Sequence, residues 1–426
     1  MNWTYAVFAM LLFFWALDLV VEILNLRQMK SPQPKRLQGL YDEASYSKSQ
    51  AYNFEKVRIG LFSSTLSTFI LLAAIQLGWL NDIDEIVQSI FSGEISRGLA
   101  FGGILMVASS LLSLPFSFFN TFMIEERYGF NRSDLKTWIM DRIKGLILGA
   151  LFGAALFSLL IWFFSTKAIP YTWLIACISF IFIQLLLMFL MPVLIMPLFN
   201  KFTPLEEGEL KEMVLDYANK ENFALSGLFT MDGSKRSSKA NAFFTGFGKF
   251  KRIVLFDTLV NNFSNKELLA ILAHEMGHFK KKHIIKQMLL MFLNTGLMFY
   301  FLNLILKNPL LFDAFNIQTE RSVYVSLILA IFLFQPISFI LSIGTTILSR
   351  KYEYEADEYA ARTTGLGNEL IDALKKLSVD SLSNLTPHPL KVFLEFSHPT
   401  LLQRWEVLEK KGLYIEERDL EDETVE

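Results

Sequence analysis

The chain has 426 residues, of which 52% are hydrophobic and 19% are charged, with a formal net charge of −2. Soluble domains average about 25% charged residues, so this composition excludes an ordinary soluble domain, and the balanced charge excludes a nucleic-acid-binding protein. The single cysteine, Cys177, excludes an intrachain disulfide and a cysteine-based metal site. The first apolar run begins at the N-terminus without a small-residue cleavage site, so it reads as a membrane span and not as a removable signal peptide. A span takes about 20 apolar residues. Seven stretches satisfy this, near 4–25, 58–80, 99–122, 145–166, 171–198, 284–306 and 322–348. Pro192 and Pro197 predict a kink near the end of the fifth, and Gln335-Pro336 one inside the seventh.

Loop charges set the orientation. The loop after the first span carries Arg27, Lys30, Lys35, Arg36, Lys48 and Lys56, and the loop after the third carries Arg127, Arg132, Lys136, Arg142 and Lys144. Basic residues are sparse in the loops between, where Arg97 and Lys167 each stand alone. The positive-inside rule places the N-terminus outside and the C-terminus in the cytoplasm. Asp18 and Glu22, four residues apart in the first span, face a wet interior or lie near its cytoplasmic end; Gln184, Gln287, Asn294 and Gln335 line an interior or pair between helices.

The chain thus divides into residues 1–198 with five spans, a polar region 199–283, two further spans in 284–348, and a polar tail 349–426 with an acidic end from Glu416. Residues 251–256 and 228–231 read as strands. Ser264, with Glu267 three residues on, reads as a capping box opening a helix that stops near Lys280–Lys282, a cluster suited to lipid headgroups.

That helix carries His274-Glu275-Met276-Gly277-His278. Histidines at i and i+4 share a helix face and can hold one metal ion, and the glutamate after the first is placed to take a proton from water. Two crossings later the chain returns to the same side at Glu353-Tyr354-Glu355-Ala356-Asp357. A carboxylate there can close a two-histidine, one-glutamate site with one position left for water. Spacing does not choose among Glu353, Glu355 and Asp357. His283, five residues past His278, reads as an interface residue pointing away from the metal face, and His388, between two prolines, as a loop residue.

The sequence resembles the type I CAAX prenyl protease family of integral membrane zinc metalloproteases. The resemblance rests on Leu114-Pro115-Phe116, Glu125 to Asn131, Pro197 to Asn200, Asp232 to Ser237, Asn241 to Phe244, Lys251 to Leu259, Glu353 to Asp357 and Ser397 to Thr400, spread in order along nearly the whole chain. It implies a mainly α polytopic protein, with seven tilted helices ringing a water-filled chamber and a cytoplasmic α+β zincin-like domain. It implies one Zn²⁺ on His274, His278 and Glu353, Asp357 holding a ligand from behind, and Glu275 as general base. It further implies that Asn241 binds substrate through an edge strand, and that His398 and Arg404 steady the substrate or the oxyanion. The implied partners are membrane lipid and a peptide or protein substrate, in the family's case the prenylated CAAX terminus. The membrane is the endoplasmic reticulum or a bacterial inner membrane. One departure stands out: Lys239 occupies the place of the family's usual histidine between Arg236 and Asn241. A membrane quality-control protease of the HtpX type shares the zinc motifs but has about four spans. A transporter or channel with a structural zinc domain would not need Glu275.

Overall fold

The computed structural model describes residues 3–166, 171–246, 251–308 and 310–415; Lys167 and the acidic end beyond residue 415 lie outside them. In a bilayer each backbone polar group needs a partner within its own segment, so apolar runs of this length become helices. The first half contains α1 (Trp3–Gln28), α2 (Glu43–Gln76), α3 (Trp79–Ile90), α4 (Glu94–Phe119), α5 (Leu135–Ser165) and α6 (Thr172–Leu190). The polar region then forms β1 (Phe202–Pro204), α7 (Glu209–Lys220), β2 (Gly227–Met231), β3 (Ala242–Thr245), β4 (Arg252–Phe256), α8 (Asp257–Asn262) and α9 (Asn265–Lys280). Next come α10 (His283–Ile305), α11 (Leu310–Ala314), α12 (Val323–Leu333) and α13 (Gln335–Thr364). The chain closes with α14 (Gly367–Asp380), α15 (Pro389–Glu395) and α16 (Leu401–Lys410).

Six helices among the described residues are long and apolar enough to cross a membrane: α1, α2, α4, α5, α6 and α10. The expected seventh span is a pair, α12 and α13, bent by 50° at Phe334. Pro336 causes the break, because a proline cannot donate to the preceding turn but is suited to the first turn of a new helix. Past the bend α13 does not stop near residue 348; it runs unbroken to Thr364. α2 likewise begins at Glu43 and not near 58, because Asp42 caps it by accepting from Ser45 N at 2.6 Å. α4 passes into a π-helical turn, Asn120–Glu125, and α6 leaves α geometry at Met191, where Pro192 arrives.

Neighbouring spans close a circuit. α1 lies against α2, α2 against α4, α4 against α5, α5 against α6, α6 against α10, and α10 against α12 and α13. Phe14 of α1 meets Phe339 of α13 edge-on at 5.4 Å and completes it. Only 6–17% of each continuous span's most apolar stretch is buried in the protein, which fits a ring around an open interior and not a packed bundle. An apolar cluster including Phe101, Phe312, Phe315 and Tyr324 closes the end opposite the polar regions. Between α1, α2, α10, α12 and α13 lies a cavity of about 720 Å³, where Asp18, Ser64 and Gln335 supply polar groups. Gln184 and Asn294 line a second, of about 360 Å³, and Gln184 also accepts from Thr295 Oγ1 at 3.2 Å across α6 and α10. Gln287 is exposed. Glu22, one turn past Asp18 on α1, pairs with Lys391 of α15 at 2.6 Å.

The sheet has the order β1-β2-β4-β3, with β2 and β4 parallel and the outer pairs antiparallel. β2 and β4 match the two strands expected from sequence; β1, three residues long, carries no period that could announce it. Leu228, Ile253 and Leu255 on one face pack against Leu268, Ile271 and Leu272 of α9. This leaves β3 as an edge beside the helix that bears the histidines.

Candidate metal centre and active site

α9 begins where its capping box dictates. Ser264 Oγ accepts from Glu267 N at 3.3 Å, and Ser264 N donates to Glu267 Oε2 at 2.7 Å. Past the apolar stretch that buries Leu268, Ala270, Ile271, Leu272 and Ala273, His274 and His278 emerge on one face. α13 lies directly alongside. Gly277 permits the approach: a Cβ there would stand 3.2 Å from both Cα and O of Ala356 and 3.1 Å from the Tyr359 ring. Backbone cannot move aside as a flexible side chain can. Gly277→Val will therefore push α9 from α13, costing about 1–3 kcal/mol of stability. It will weaken metal binding in parallel, as read by thermal unfolding and chelator competition; wild-type values for both would contradict this role.

The approach gathers three donors. His274 Nε2 and His278 Nε2 lie 3.2 Å apart, His274 Nε2 is 3.4 Å from Glu353 Oε2, and His278 Nε2 is 3.3 Å from Glu353 Oε1. A tetrahedral ion with bonds of about 2.0–2.1 Å has ligand–ligand edges of about 3.3–3.4 Å, so the set has the dimensions of a zinc site. Glu353 Oε2 is buried and has no hydrogen-bond partner, a costly state that a cation would relieve. Of the three carboxylates that spacing left open, only Glu353 joins both histidines among the described residues.

Each histidine is backed on its far nitrogen. His274 Nδ1 lies 2.8 Å from Asp357 Oδ1. Arg404, buried, grips the same carboxylate with both arms of its fork: Nε to Oδ2 at 2.7 Å and Nη2 to Oδ1 at 2.5 Å. His278 Nδ1 lies 3.1 Å from His283 Nδ1, whose Nε2 lies 3.0 Å from Glu355 Oε2. This corrects the sequence reading of His283. Counting five residues along one helix points it away, but α9 ends at Lys280 and Lys282 adopts a left-handed conformation with φ of 58°. That turn redirects the chain, and α10 starts with His283 facing back. Lys280 also departs from a headgroup role, since its ammonium donates to the Glu221 carbonyl. His388 is more than a loop residue, for its Nδ1 accepts from Leu390 N and caps α15.

Glu275 stands half-buried beside the donors, and its charge is felt by Arg404. His398 is exposed, with Nε2 3.4 Å from Glu353 Oε1 and Nδ1 2.9 Å from Ser397 Oγ. Asn241 is exposed and enters the edge strand β3, its carbonyl accepting from Phe256 N at 3.0 Å. The other motifs meet around this loop. Arg236 binds Asp141 at 2.7 and 3.0 Å and Asn200 at 3.0 Å. Lys239, the departure from the family's pattern, has its own setting: Glu125 at 3.1 Å, Tyr52 Oη at 2.7 Å, and the face of Phe130 4.2 Å from its nitrogen.

Burial opposes a charge on His274, but the carboxylates of Asp357 and Glu353 outweigh both that and Arg404, raising its pKa to about 9. The metal-free protein therefore keeps a proton there at neutral pH, and the stability this gives is lost as pH rises through about 9. A metal needs the neutral ring, so below about pH 9 binding must release that proton. Metal affinity will fall about tenfold for each unit of pH lowered from 9 to 7, measured by chelator competition. A flat profile would contradict the assignment.

The model of the CAAX prenyl protease N-terminal region, five membrane helices, matches residues 22–201, and that of peptidase family M48 matches residues 204–411. CAAX prenyl protease 1 of Saccharomyces cerevisiae is 33% identical over 410 residues, which cover 90% of this chain and 89% of that protein. The chain belongs to the type I CAAX prenyl protease family. The Homo sapiens CAAX prenyl protease 1 homolog is 32% identical and covers 94% of both chains. The crystal structure of S. mikatae Ste24p has a TM-score of 0.91 at 32% identity, covering 96% of this chain and 99% of that one. As a type I CAAX prenyl protease family member, the protein is a multi-pass membrane metalloprotease acting on peptide or protein substrates.

Proposed function

We propose that this protein is a zinc endopeptidase that removes the C-terminal tripeptide from prenylated CAAX proteins at the cytoplasmic face of its membrane. The observation that carries the reading is the trio of His274 and Glu353, buried, and His278, partly buried, with Glu275 beside it, at one end of a ring of spans. The loop charges support the cytoplasmic side, and the endoplasmic reticulum or a bacterial inner membrane remain the two candidate settings. A four-span quality-control protease is disfavoured by the six continuous spans and bent seventh among the described residues.

A single zinc ion held by these residues would act as a Lewis acid, making water at the open position acidic enough to attack near neutral pH. Glu275 accepts the proton of the attacking water and returns it to the leaving amine. Asp357, held by Arg404, fixes the ring of His274. His398, exposed at the rim, is placed to donate to the oxyanion that develops on the attacked carbonyl. In the antiparallel pairing of β3 with β4, Asn241, Phe243 and Thr245 turn their backbone groups inward, so those of Ala242 and Phe244 point to the free edge. An extended substrate adds there as a further strand, with the Asn241 side chain at its start.

The test is to purify the protein in detergent and compare a farnesylated CAAX peptide with its unprenylated twin. The farnesylated peptide is expected to lose its last three residues, and faster. Equal cleavage of both overturns the prenyl specificity, and cleavage of neither overturns the reading.

A further inference from the structure

His283 is fully buried, with 0% of its surface exposed, and no step above uses it. Three contacts hold it. Its Nδ1 lies 3.1 Å from His278 Nδ1, its Nε2 lies 3.0 Å from Glu355 Oε2, and its ring stacks on Tyr352 with centroids 4.3 Å apart and planes 14° apart. Tyr352 and Glu355 flank the donor Glu353 in sequence, so His283 is fastened to the same stretch of α13 that offers the third ligand.

The hydrogen-bond chemistry permits one arrangement. His278 offers Nε2 to the metal position, so its ring proton sits on Nδ1, which must donate. The atom within reach is His283 Nδ1, which must then accept. The His283 proton is left on Nε2, where it donates to Glu355. We propose that His283 and Glu355 form a positioning pair that fixes the tautomer and ring orientation of His278, as Asp357 and Arg404 do for His274. The Glu353–Asp357 run then serves the metal three times: Glu353 directly, Asp357 through one histidine, and Glu355 through two. His278 needs the support more than its partner does, because its side chain is 20% exposed against 9% for His274. The left-handed Lys282 makes the pair possible, since a continuous helix would carry His283 past the site.

The inference rests on the metal reading of the site, and the experiment separates the two. Zinc affinity is measured by chelator competition on the full-length protein in detergent, for wild type, His283→Phe, His283→Gln and Glu355→Leu, with the unfolding midpoint of each metal-free protein alongside. Phenylalanine keeps the stacking on Tyr352 and removes both hydrogen bonds; glutamine can both accept and donate. His283→Phe is expected to bind zinc about 10–100-fold more weakly, Glu355→Leu to weaken it in the same direction, and His283→Gln to recover most of the loss. A purely packing role predicts wild-type zinc affinity in His283→Phe, and that result overturns the inference. So does His283→Gln binding no better than His283→Phe. If His283→Phe does not fold, Glu355→Leu decides alone, and its unchanged affinity overturns the pairing. Wild-type protein that takes up no zinc overturns the metal reading, and this inference with it.

Discussion

Glu275→Gln will slow peptide hydrolysis by about 10²–10⁴-fold while zinc stays bound, the range expected for loss of a general base. The substitution changes little but the chemistry. Glutamine has the length and shape of glutamate, so the half-buried position beside the metal trio is filled as before. Glu275 is absent from the donor set, which comprises His274, His278 and Glu353. The missing property is the capacity to take a proton from water and hand it to the departing amine. Turnover of the farnesylated peptide and bound zinc per protein, measured on one preparation, make the check. Zinc lost together with activity would make Glu275 a ligand. Wild-type turnover would show that Glu275 is not the general base.

Arg404→Met will destabilise the protein by about 3–5 kcal/mol, the range for a buried ion pair stripped of one partner. Asp357 is 1% exposed and receives two hydrogen bonds from the Arg404 fork. Without the guanidinium its charge keeps only His274. The double variant Asp357→Asn, Arg404→Met removes the stranded charge and is expected to regain much of that stability. It will not regain metal affinity, because a neutral amide supports the His274 ring less strongly than a carboxylate. Unfolding midpoints and zinc affinity of the two variants and wild type separate these effects. Wild-type stability in Arg404→Met would show that the fork does not hold the charge as its geometry implies.

Local rules carried the reading of the sequence as far as local rules reach. Spans announce themselves by apolar length, and α9 by a capping box and helical spacing within a few residues of each other. Glu353 could be named from sequence only through the family resemblance, since Glu355 and Asp357 lie on the same short run; the distances between side chains separate the three. What stayed hidden depended on remote or improbable geometry. A left-handed lysine has no signature, so the return of His283 was illegible. The helical continuation of α13 past the membrane was obscured because its composition turns polar at Ser349-Arg350-Lys351 while its backbone does not change. The partner of Lys239 lies 114 residues earlier, at Glu125 on a π-helical turn, a pairing that no periodicity encodes.

The unbroken course of α13 also decides how the molecule can be taken apart. One helix holds the inner half of the last span and, farther along, Glu353 and Asp357. On the other side of the metal, only Lys281 and Lys282 separate the histidine helix from α10. The peptidase therefore has no seam at which a water-soluble catalytic fragment could be cut free. Excision on either side would leave a severed helix end beside the three metal donors, so a shed or truncated piece is expected to lose the metal site and with it the peptidase activity.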